Sequence, residues 1–126
     1  MNKEDLLSLL ETLKLSKEEF VILSSSSIVL RGILETANDL DIAVTEKGLT
    51  ELKQNYELKQ KENGWYIVTD KIECVQDDMV NQKEKLDEYY LQDINSYLSY
   101  LETSKREKDI QRIPLVKKYI NNKPSN

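Results

Sequence analysis

Two aspartates separated by one residue, in the run Asn38-Asp39-Leu40-Asp41-Ile42, carry the most chemical content in this chain. In a strand over Asp39 to Val44 side chains alternate, so Asp39, Asp41 and Ala43 share one face while Leu40, Ile42 and Val44 share the other. Aspartate is depleted in strands, and two carboxylates on one face repel unless water, a base or a cation answers them. A divalent metal answers both. The plain alternative is an exposed edge with solvated aspartates, since Asp-x-Asp is short and common. Upstream, Val21 to Leu23 reads as an apolar strand, Ser24 to Ser27 as a turn and Ile28 to Ile33 as a short buried helix. That order would present backbone N–H groups and hydroxyls at a helix N-terminus, which suits a phosphate. Phosphate cradle and metal pair would then be neighbours.

A third acidic residue follows. Within Lys71 to Gln76, Glu73 and Val75 face one way and Ile72 and Cys74 the other, and Glu73 is the carboxylate best aimed at the face of Asp39 and Asp41. Asp70, Asp77 and Asp78 flank that strand and compete for the role, and an edge-strand charge is an equally ordinary reading of Glu73. Far along the chain, Arg106-Glu107-Lys108-Asp109-Ile110 opens a charged helix. Its default reading is a solvated helix start, in which Asp109 orients a neighbouring cation or caps the helix.

In this order the residues resemble the minimal nucleotidyltransferases of the polymerase-beta-like superfamily. Ser26 takes the place of the motif's Ser/Thr, Leu30-Arg31-Gly32 resembles the helix end, and Asp39 and Asp41 look like the metal-binding pair. The resemblance implies transfer of a nucleoside monophosphate from a magnesium-bound NTP, ATP among them, to an acceptor hydroxyl. Asp39 and Asp41 would hold two Mg²⁺ ions, and Glu73 would complete the second metal site and take the proton. Backbone N–H groups of Ser24, Ser25, Ser26 and Ser27, with the Ser26 hydroxyl, would grip the β and γ phosphates, and Arg106 or Lys108 would stabilise the leaving pyrophosphate. Two departures stand out. Ser24 and Ser25 occupy the positions of the family's glycine pair, where positive φ and close phosphate approach favour glycine; and the third carboxylate is more often aspartate. These favour a second reading: a catalytically impaired protein of the same fold acting as a binding or toxin–antitoxin partner module. Small members also modify antibiotics, as the lincosamide and aminoglycoside enzymes do, so the acceptor is expected to be a small molecule or a protein.

The elements that must position these groups fit one domain over residues 1–126, with the sheet core in 20–79. The expectation is an α+β fold: a small mixed sheet of about four to five strands, helices on one side and a C-terminal helical pair. Lys and Arg number 18 against 23 Asp and Glu, a net charge of −5, which argues against a general nucleic-acid binder. There is no histidine, so His-based triads and His-ligated zinc are excluded. The lone Cys74 reads as a small buried hydrophobe. The absence of any long apolar run and the acidic, periodic start predict a cytoplasmic protein without membrane contact.

Leu6, Leu9, Leu10 and Leu13 predict an amphipathic helix near the start, and Ser16 with Glu19 a capping box. Thr45 to Gly48 reads as a loop before a helix over Leu49 to Gln54. Asn63-Gly64 predicts a hairpin with strands at about 56–61 and 65–69. From roughly residue 80 helix is expected to dominate: Tyr89, Tyr90, Ile94, Tyr97, Leu98 and Leu101 fall at helical spacing, for core or a homodimer interface. A break at Thr103-Ser104, a last helix over Glu107 to Ile120 and a mobile tail complete the reading.

Overall fold

The computed structural model describes residues 1–77 and 83–122. It is an α+β fold with five α-helices and a seven-stranded mixed sheet among those residues. Contacts divide the chain into two compact units, Met1–Gln92 and Asp93–Asn126.

In the first unit, α1 (Lys3–Thr12) buries Leu6 and Leu10 and starts at a capping box between Asn2 and Asp5. The expected box at Ser16 and Glu19 does not form. The Ser16 hydroxyl donates to Glu51 at 2.8 Å, while Glu19 accepts from the Thr45 hydroxyl, so both groups serve long-range contacts around the 3₁₀ turn Lys17–Glu19. Strand β1 (Phe20–Ile22) leads into α2 (Ser24–Leu30). The four serines are therefore helical rather than a turn. Gly32, at φ 83°, ends α2: its N–H donates to Val29 O at 3.0 Å and that of Ile33 to Ile28 O at 2.9 Å, the paired bonds of a Schellman motif.

Strand β2 (Leu40–Val44) is followed by α3 (Glu46–Asn55). Thr45 caps α3 by accepting the Gly48 N–H at 3.0 Å, so the expected loop is that helix's cap and first turn. The hairpin of β3 (Lys59–Gln60) and β4 (Tyr66–Thr69) turns at Gly64, φ 90°. Asn63 does not share the positive φ; its side chain accepts from Trp65 N instead. After β5 (Ile72–Gln76) the chain forms a second hairpin, β6 (Lys83–Leu86) and β7 (Tyr89–Gln92), with Asp87 at φ 55° in its two-residue turn. This hairpin replaces the expected helical start and raises the strand count above five. Tyr89 and Tyr90 point to opposite faces of β7 instead of lining a helix stripe.

The strand order is β3-β4-β5-β2-β1-β7-β6. Strand β2 runs antiparallel to β1 and parallel to β5, and β1 runs parallel to β7. One face carries the core: Ile22, Leu40, Ile42, Ile72, Cys74 and Leu91 pack with Leu6 and Leu10 of α1, Val29 and Leu30 of α2, and Leu49 and Leu52 of α3. Burial of such side chains is worth about 1.5–3 kcal/mol each and fixes strand register, since a slip of one residue would turn them to the opposite face.

The second unit holds α4 (Ile94–Thr103) and α5 (Glu107–Asn122), the expected helical pair. Asp93 caps α4 by accepting the Ser96 N–H at 3.0 Å. Pro114 lies inside α5, where its missing N–H leaves the Ile110 carbonyl without that bond. Of the tail expected to be mobile, Asn121 and Asn122 belong to α5, and residues 123–126, like Asp78, lie outside the described residues. No described helix is long and apolar enough to cross a membrane.

Candidate functional site

Strand pairing brings two of the three carboxylates together. Asp41 and Glu73 are directly opposed in the parallel β2–β5 ladder, and opposed residues of neighbouring strands point to the same face. That face is the one opposite the core, because Leu40 and Ile42 on β2 and Ile72 and Cys74 on β5 are buried beneath it. Asp41 and Glu73 are half-buried, and Asp39, just ahead of β2, is exposed. The predicted alternation holds within β2 and β5, but β2 starts at Leu40, so the ladder does not place Asp39 on the face of Asp41.

Glu73 has a partner the sequence did not suggest. Lys61 Nζ lies 2.9 Å from its Oε1, with the two side chains 40% and 30% exposed. Lys59 opposes Ile67, and Ile67 opposes Glu73, so the alternating lysines of the first hairpin fall on the face of Glu73. The signal lay in Lys59 and Lys61, two residues apart and just before Asn63-Gly64.

The start of α2 is tied to the backbone of Asp39 and Asp41. Leu23 N–H donates to Asp41 O at 2.9 Å, and the Ser26 hydroxyl donates to Asp39 O at 2.6 Å. The side chains of Ser26 and Ser27 are buried, and the Ser27 hydroxyl donates to Ser24 O at 2.6 Å. Those two hydroxyls hold backbone together and do not point outward to a phosphate, which corrects the expectation for Ser26. Ser24 and Ser25 are half-buried. Ser24 adopts φ 52°, so the backbone takes at a serine the left-handed conformation that glycine enters without strain. Its N–H donates to Gln92 Oε1 at 3.1 Å, and Arg31 donates to Gln92 O at 3.0 Å while pairing with Glu84 at 3.2 Å. Gln92, unmarked in the sequence, ties β7 to both ends of α2.

Arg106 and Lys108 belong to the second unit. Asp109, fully buried, accepts from the Ser104 hydroxyl at 2.6 Å and from Arg106 Nε at 2.7 Å, with Arg112 at 3.8 Å from its other oxygen. Burial by itself would raise the Asp109 pKa; the Ser104 hydroxyl and the Arg106 and Arg112 guanidiniums together outweigh it and hold the carboxyl below its ordinary 3.8. Arg106 also donates to the Tyr100 hydroxyl at 3.0 Å, so its guanidinium is fixed by its own helical pair, whereas Lys108 is exposed. Cys74 is fully buried, and burial pushes its thiol up to about 11, in keeping with a structural role.

The donor set has the right chemistry for magnesium, a hard cation that takes carboxylate oxygens. Asp41 and Glu73 side by side, with Asp39 two residues upstream, suit a carboxylate-held ion, provided that the ion displaces Lys61 from Glu73. Among the described residues, no three His, Cys, Asp and Glu side chains converge closely enough to share an ion. Compared with models of protein families, with curated proteins and with solved structures, the chain matches none.

Proposed function

We propose that the chain binds a magnesium nucleoside triphosphate against Asp39, Asp41 and Glu73 and transfers its nucleoside monophosphate to an acceptor hydroxyl of a small molecule or a protein. The observation that carries this reading is the register Asp41 to Glu73, with the first turn of α2 joined to Asp39 through the Ser26 hydroxyl. Asp39 and Asp41 would hold the metal, with Glu73 joining them. When bound, the metal neutralises triphosphate charge and makes the acceptor hydroxyl more acidic. The acceptor oxygen bonds to the α-phosphorus as the bond to the pyrophosphate oxygen breaks, and Glu73, released from Lys61, takes the hydroxyl proton.

The Lys61–Glu73 ion pair also favours the second reading, a protein of this type whose third carboxylate is neutralised and which serves as a binding or toxin–antitoxin partner. Titration calorimetry separates the two. Magnesium with each of the four NTPs is titrated into the native chain and into the Asp39→Asn, Asp41→Asn double variant. Metal-dependent binding lost in the variant supports transfer, whereas no binding to either protein removes the enzyme reading.

A further inference from the structure

A single row of residues crosses the sheet at the end where Asp41 lies. Glu73 opposes Asp41, Leu23 is bonded to Asp41 through its N–H, Gln92 accepts from Ser24, and Gln92 opposes Lys83 on the edge strand β6. Lys85 opposes Tyr90 one step along, so Lys83, Lys85, Tyr90 and Gln92 share a face. Tyr89 and Leu91, their neighbours on β7, are in the core, which puts that face on the same side of the sheet as Asp41 and Glu73. Every member of the row from Glu73 to Gln92 is half-buried and Lys83 is exposed.

Lys83 and Lys85 converge on one aromatic ring, with Nζ atoms 4.5 and 5.8 Å from the Tyr90 centroid. Neither makes an ion pair or hydrogen bond with any described residue. Elsewhere in the first unit the described rings of Tyr89 and Tyr66 each carry a single lysine, Lys17 at 5.3 Å and Lys53 at 5.6 Å. What sets Lys83 and Lys85 apart is that two ammoniums share one ring with no ion pair to a described carboxylate. The ring's negative face attracts each of them, yet each repels the other, and a multiply charged anion relieves that repulsion.

We infer that Lys83, Lys85 and Tyr90 form an anchor for the polyphosphate end of the nucleotide, the position for which Arg106 and Lys108 were the sequence candidates. The inference rests on the nucleotide reading above for the identity of the whole ligand. From Asp41 to Lys83 is three strand steps, roughly 14 Å between backbones at about 4.8 Å per step, and the flexible lysyl stems shorten that span. A triphosphate whose α-phosphate end meets Asp41 therefore has its far end directed along the row, past Gln92, toward the two ammoniums.

Inorganic tripolyphosphate, without metal, is the direct probe. Calorimetry is run on the full chain, on the Lys83→Gln, Lys85→Gln double variant and on the Asp39→Asn, Asp41→Asn double variant. The expected result is binding by the native chain, weakened about tenfold or more without the lysines and unweakened without the aspartates. Both lysines are exposed, and far-ultraviolet circular dichroism verifies that the variant is folded. Tripolyphosphate that binds equally well without the lysines, or not at all to the native chain, overturns the anchor. Magnesium NTP binding that is lost in the aspartate variant but intact in the lysine variant likewise overturns it while leaving the nucleotide reading standing. Tripolyphosphate binding that depends on the lysines, in a chain that binds no NTP, retains the anchor and removes the nucleotide reading.

Discussion

Replacing Lys61 by methionine tests whether the acidic face is a cation site. Lys61 and Glu73 form a 2.9 Å pair with both side chains a third or more exposed, or nearly so, and such solvated pairs contribute about 0.2–1 kcal/mol. A metal ion that takes Glu73 must break this pair, so its affinity in the native chain is reduced by that amount. Removing the lysine returns it, and 0.2–1 kcal/mol corresponds to a gain in magnesium affinity of about 1.4- to 5-fold. Stability should fall by no more than roughly 1 kcal/mol, because methionine keeps the apolar stem and Glu73 stays half-hydrated. Magnesium calorimetry reads the affinity and thermal unfolding reads the stability. An affinity that is unchanged or lower in Lys61→Met, with stability intact, refutes the placement of Glu73 among the ligands. A loss well above 1 kcal/mol refutes the treatment of the pair as a weak, solvated one.

Ser24→Gly should raise stability by up to about 1.5 kcal/mol, the balance of the roughly 1–2 kcal/mol left-handed penalty against glycine's about 0.5–1 kcal/mol entropic cost; chemical denaturation measures it, and a loss of stability would mean that Ser24 is not held at positive φ. Asp109→Ala should cost roughly 2–3 kcal/mol, because the Ser104 hydroxyl loses its acceptor and the mostly buried Arg112 keeps its bond to the Tyr97 hydroxyl but loses its counter-charge. Since the folded-state pKa of Asp109 is depressed, its contribution is present above the unfolded value and lost as the pH falls through the folded value, below 3.8. The difference between native and Asp109→Ala proteins in denaturation experiments should therefore narrow in acid; a difference independent of pH would contradict the assignment. Cys74 should resist thiol reagents at neutral pH until the chain unfolds, given its burial and a pKa of about 11, and rapid labelling of native protein would contradict its place in the core.

Several elements were legible because a local pattern and a tertiary need agreed. Leu40, Ile42 and Val44 alternate with Asp41 and Ala43, and the sheet buries the first three against α1, α2 and α3, so the strand and its core face followed from the spacing. The helix expected over Ile28 to Ile33 lies instead at Ser24–Leu30, where Gly32 at positive φ closes it. The hairpin β6–β7 was not legible. Tyr90 and Ile94 fit helical spacing while Tyr89 and Leu91 fit a strand, and a short apolar run does not separate the two periods. The positive φ at Asp87, where no glycine marks the turn, removed the remaining cue.

The residues by themselves determined which side chains carry charge and which alternate, because a strand's period is fixed by its own covalent geometry. The sequence also set the absence of histidine and the net charge of −5, and with them the chemistry the chain does not do. Only the tertiary structure decided who stands next to whom. It opposed Asp41 to Glu73 across 32 residues of chain, closed Lys61 onto Glu73, turned the Ser26 hydroxyl inward to Asp39, and gathered Lys83 and Lys85 on Tyr90. Those outcomes depend on strand order, and strand order follows from burying one apolar face under α1, α2 and α3, a collective result that no local run of residues encodes.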